Sequence, residues 1–69
     1  MLNNKVVLLE SKRVNFDEDY TVVLCLFNNR EFVTWLKTGE NNYCWGNYFP
    51  RTEKGLAMAL ENFNDRVEA

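Results

Sequence analysis

Sixty-nine residues make one small domain, 1–69, near the lower limit at which a chain buries enough apolar surface to fold unaided. With 46% hydrophobic residues, 14% aromatic residues, one proline and three glycines, the composition speaks against disorder over most of the chain. The formal charge is −2, and of the eight bases only Lys12 and Arg13 stand together, which argues against a partner held by phosphate neutralisation.

The first element expected is a strand over 5–13 (KVVLLESKR), β-rich at its start and polar toward its end. Met1 to Lys5 lack the charged start, long apolar stretch and small-residue cleavage site of a signal peptide. The runs Val6 to Leu9 and Val22 to Phe27 are too short to span a bilayer. A soluble, cytoplasmic protein is expected. Asn15-Phe16-Asp17-Glu18-Asp19 breaks the first strand with turn-formers. The second strand, 20–27 (YTVVLCLF), is full of β-branched and large apolar residues. Asn28-Asn29 fits a two-residue type I′ turn, since asparagine tolerates positive φ. A return strand over 30–37 (REFVTWLK), a second turn region over 38–42 and a last strand over 43–49 complete a four-stranded antiparallel meander.

Pro50 ends the sheet, and Thr52 is placed to cap a helix over 53–67 with Glu53 at its positive end. Leu56, Leu60, Phe63 and Val67, joined by Ala59, recur on one helical face. The fold class expected is α+β, a ββββα meander with one C-terminal helix packed on one face.

A two-residue turn pairs Phe27 with Arg30, Leu24 with Val33 and Val22 with Trp35. One face then carries Val22, Leu24, Leu26, Val33 and Trp35, with Trp45 from the next strand. The other carries Val23, Cys25, Phe27, Phe32, Leu36 and Tyr48. The bulkier, tryptophan-bearing face is expected under the helix. The second set is left as a spare apolar face, and such a face marks an interface to a protein partner or a second copy. A one-residue change of register would swap the assignment.

Chemistry is sparse. There is no histidine, Ser11 is the only serine, and the glycines at 39, 46 and 55 form no phosphate loop. Asp17 and Asp19 in one turn are weak evidence for a hard cation. No enzyme activity, cofactor or metal is expected. Cys25 and Cys44 fall on the second and fourth strands, roughly 9–10 Å apart and beyond disulfide reach. Free, buried thiols follow.

The segment Tyr43-Cys44-Trp45-Gly46-Asn47-Tyr48-Phe49 packs four rings into seven residues, more readily core than recognition surface in so short a chain. With the helix segment Ala59 to Arg66 it resembles short uncharacterised proteins of phages, prophages and Gram-positive bacteria. In those, a strand reading W-G-x-Y-F precedes a helix carrying A-x-x-x-F-x-x-R. The likeness covers about the last third of the chain. It departs at Asn47, where an aromatic or histidine is commoner. It brings no activity, and implies a mobile-element origin with an accessory role on a host protein. The expected function is therefore a non-enzymatic protein-binding module. The alternative is a single-stranded nucleic-acid binder stacking bases on Trp35, Tyr43 and Trp45, with Lys37 or Arg30 near phosphates; the acidic balance makes nucleic acid the less expected partner.

Overall fold

The computed structural model describes residues 4–12, 20–39 and 42–68. These residues form β1 (Lys5–Lys12), β2 (Thr21–Phe27), β3 (Glu31–Thr38), β4 (Asn42–Pro50) and α1 (Glu53–Glu68). The strands pair antiparallel in the order β1-β2-β3-β4, so the chain folds as the expected ββββα meander. The turn-formers at 15–19, with Asp17 and Asp19, lie outside the described residues.

Thr52 caps α1 as the sequence suggests. Its Oγ1 accepts from the Gly55 N–H at 2.9 Å and its carbonyl from the Leu56 N–H at 2.9 Å. Only Arg51 and Thr52 separate β4 from α1, so the chain folds back at once. Gly55 makes that possible: a Cβ there would stand 1.9 Å from the Pro50 carbonyl oxygen. The buried line of the helix is Gly55, Ala59 and Phe63, with Leu56, Leu60 and Val67 packed at its flanks. The expected stripe has the right members, but it is centred on small residues that let the helix lie close to β2, β3 and β4.

The strand register differs from the expected one. Asn28 and Asn29 both take positive φ (54° and 55°), as a type I′ turn requires, and the Arg30 N–H donates to the Phe27 carbonyl at 3.1 Å. Arg30, however, stays in the turn, and Phe27 lies opposite Glu31. Arg51 clamps the turn by donating to the Asn29 carbonyl (3.0 Å) and to its Oδ1. One extra turn residue sends every β3 side chain to the other face. Phe32 and Leu36 therefore lie under the helix with Val22 and Leu24, and Leu26 packs at the margin. Trp35 and Val33 lie on the far face with Val23 and Cys25. The helix does not cover the tryptophan-bearing face. The register explains why: with Arg30 in the turn, Trp35 points away from the helix.

The far face is not bare. Val23, Cys25 and Val33 are fully buried there without any helix, and Trp35 is 5% exposed. Trp35 sits at the centre of an aromatic lid, edge-on to Phe27, Tyr43 and Tyr48 at 5.5, 5.7 and 6.2 Å between ring centroids. Lys5 of β1 places its Nζ 4.6 Å from the ring centroid of Tyr43 on β4. In a flat sheet those positions would be about 14 Å apart across the strands and about 20 Å apart along them. The sheet is thus strongly coiled, and its far face is a concave second core.

Candidate recognition site

Among the described residues, the large apolar groups in solvent are Val6 to Leu9 on β1, Met58 on α1 and two on β4. On β4 they are Trp45, 74% exposed, and Tyr48, 54% exposed. Trp45 is there for a backbone reason. Between the pairs Thr34–Asn47 and Leu36–Cys44, β4 holds one more residue than β3. This is a β-bulge, and Trp45 carries its strain at φ 55°. Glycine is the usual occupant of such a left-handed position. Here glycine comes one residue later, at Gly46, and for a different reason: a Cβ at Gly46 would stand 2.5 Å from Nε1 of Trp35.

The bulge is fixed from beneath by a polar network. Arg66 of α1 donates to the Trp45 carbonyl at 2.5 Å, and to the carbonyl and Oγ1 of Thr34 at 2.9 Å each. The fully buried Thr34 hydroxyl donates in turn to Oδ1 of Asn62 at 2.5 Å. That same oxygen accepts from Nδ2 of Asn47 at 3.2 Å. Helix, central strand and bulge are locked by charge-assisted bonds whose Thr34 end is shielded from water. The result is a tryptophan held out on a stiff mount.

The residues expected to form the spare face divide. Val23, Cys25, Phe27 and Tyr48 share the concave face, whereas Phe32 and Leu36 belong to the core under the helix. Of the rings expected to stack on bases, Trp35 is buried, and Tyr43 is half-buried with Lys5 and Lys37 above its ring at 4.6 and 5.8 Å. Trp45 alone of the three stands clear. The sequence offered one signal for its special backbone, the neighbouring Gly46, but nothing that separated a strand tryptophan from a bulge tryptophan.

Both thiols are free, on opposite faces of the sheet with β3 between their strands. Burial pushes the Cys25 thiol up, with Lys5 and Lys37 drawing it down and Glu10 raising it further. Cys44, half-buried, donates to the Leu36 carbonyl at 3.4 Å. Among the described residues no group of three or more Cys, Asp or Glu could hold a metal ion, and no helix is long and apolar enough to cross a membrane. Two open hollows flank the sheet, of about 470 Å³ beside Val6, Leu26 and Asn28 and about 240 Å³ beside Met58, Glu61 and Asp65. Neither brings a nucleophile to a base. Comparison with known proteins gave no match for this chain, whether to a family model, a curated protein or a solved structure.

Proposed function

We propose that the protein is a non-enzymatic binding module that acts on another protein and uses Trp45 as its anchor, with Tyr48 the second exposed ring of β4. The observation that carries this reading is the mount of Trp45. A bulky residue occupies a backbone conformation that favours glycine, at a position where its side chain gains almost no burial. Strain of about 1–3 kcal/mol is kept at such sites when the residue has a task. Tryptophan is enriched among the energetic anchors of protein interfaces, and a backbone fixed before contact, as Arg66 fixes that of Trp45, has less entropy to lose on binding. The resemblance of Trp45-Gly46 and Tyr48-Phe49 to small phage and prophage proteins supports an accessory role on a host protein, within the cytoplasm.

The test is affinity capture from lysate of the source cell, with mass spectrometry, comparing wild type with Trp45→Gly. The variant relieves the backbone and leaves both cores intact, so it should fold and lose the specific partner. Retention of the partner by folded Trp45→Gly would sink the reading. A salt-sensitive quench of tryptophan fluorescence by single-stranded DNA or RNA, lost in Trp45→Gly, would replace it with the nucleic-acid alternative.

A further inference from the structure

The opposite edge of the sheet carries a second, independent surface. Val6, Val7, Leu8 and Leu9 of β1 are four consecutive apolar residues, 41–57% exposed, on an edge strand. Among the described residues β1 has β2 as its one neighbour, and half of the backbone N–H and C=O groups of such a strand point away from that neighbour, ready to pair with another strand. The helix packs on β2, β3 and β4, so Val6 and Leu9 lie beyond its cover on its side of the sheet.

The order of residues indicates what fits there. Lys5-Val6-Val7-Leu8-Leu9-Glu10 places a cation and an anion at the two ends of an apolar run. Antiparallel pairing with an identical segment, about a two-fold axis between Val7 and Leu8, sets Lys5 opposite Glu10 of the second copy and Val6 opposite Leu9. On regular strands this register is forbidden. A two-fold axis perpendicular to a sheet keeps each side chain on its own face, and residues five apart point to opposite faces. The bulge in β1 removes the obstacle. Register against β2 slips between Val7 and Leu9, so Lys5 (opposite Phe27) and Glu10 (opposite Val23) both lie on the concave face. Val6 (opposite Leu26) and Leu9 (opposite Leu24) both lie on the helix face. A bulge on an edge strand ordinarily discourages pairing; this one makes the charge-matched register possible.

The geometry points to a homodimer in which β1 pairs with β1 of a second copy, extending the sheet to eight antiparallel strands. Both helices then lie on one side, with Val6 and Leu9 of each copy gathered between them. Two Lys5–Glu10 pairs close the concave side. The Trp45 mounts remain free at the outer edges, so the dimer presents two anchors at once.

Charge reversal tests this by sedimentation velocity. Wild type should sediment as a dimer, twice the 8.2 kDa chain mass. Lys5→Glu and Glu10→Lys each turn both cross-strand pairs into like-charge contacts and should raise the dimer Kd about tenfold or more. Mixed in equal amounts, the two variants regain complementary pairs and should dimerise with each other to within about threefold of the wild-type Kd. A wild type that stays monomeric to about 1 mM would overturn the inference. So would single variants that dimerise like wild type, or a mixture that fails to associate. Lys5 also contacts Tyr43, so if Lys5→Glu does not fold, Glu10→Lys decides alone: its side chain is exposed and in neither core, and a Kd unchanged from wild type refutes the pairing.

Discussion

At the scale of single residues, three positions carry structural demands that intrinsic propensity would misjudge. Replacing Gly55 with alanine ought to stabilise a helix by about 1 kcal/mol. With the Pro50 carbonyl 1.9 Å from the new Cβ, we expect the opposite, a loss of about 1–3 kcal/mol as helix and strand are forced apart. Thermal unfolding gives the sign directly. Trp45→Gly should behave in the reverse way: it removes left-handed strain and little buried area, so Tm should hold or rise by several degrees. A substitution that strengthens the fold while abolishing partner capture would mark Trp45 as kept for function. Arg66→Ala leaves the buried Thr34 hydroxyl and carbonyl short of a donor, and should lower stability by about 2–3 kcal/mol in denaturant titration. Arg66→Lys should recover only part of that, because one ammonium cannot reach three acceptors with the guanidinium's planar fork.

At the scale of elements, the cysteines report on the two faces of the sheet. Cys44 should react with a thiol reagent well before Cys25, which lies fully buried beneath the aromatic lid. Burial raises the Cys25 pKa in the folded state, so the unfolded chain loses this proton first as pH rises. The stability tied to the neutral thiol is therefore complete below about pH 8.5 and declines above it. Denaturation midpoints across that range should fall for wild type and stay flatter for Cys25→Ala. Strand order, hairpin site, helix span and cap were all legible in the sequence, because alternation, Asn28-Asn29 and Thr52 each act locally. Which face of β3 meets the helix was not. Both faces of β2 are apolar, so pattern alone could not choose, and the outcome turned on whether Arg30 belonged to the turn or to the strand. The spare-face set is accordingly legible in four of its six members: Val23, Cys25, Phe27 and Tyr48 share a surface, while Phe32 and Leu36 do not. The sequence marks Trp45 as a ring, but its exposure depends on a φ value that composition does not announce.

At the scale of the whole molecule, single-stranded DNA or RNA should not quench tryptophan emission at about 150 mM salt, since the chain is acidic, its scattered bases give the exposed Trp45 no basic stripe for phosphates, and Trp35 has no accessible ring face. The absence of a quench in a direct titration would leave protein recognition as the reading to pursue. The coiled sheet has a broader consequence. It works as a partition wall: neighbours in sequence such as Val22 and Val23 face separate hydrophobic compartments, whereas Val22 and Phe63, 41 positions apart, share one. Energetic coupling should follow the compartments rather than the chain. In double-mutant cycles, truncations at Val22 and Phe63 should fall short of additivity by about 0.5–3 kcal/mol, and those at Phe63 and Trp35, on opposite sides of the sheet, should add to within about 0.5 kcal/mol. Each side of the wall can then be repacked without disturbing the other. Substitutions would accumulate in two unlinked sets, one answering to the helix and the other to the rings.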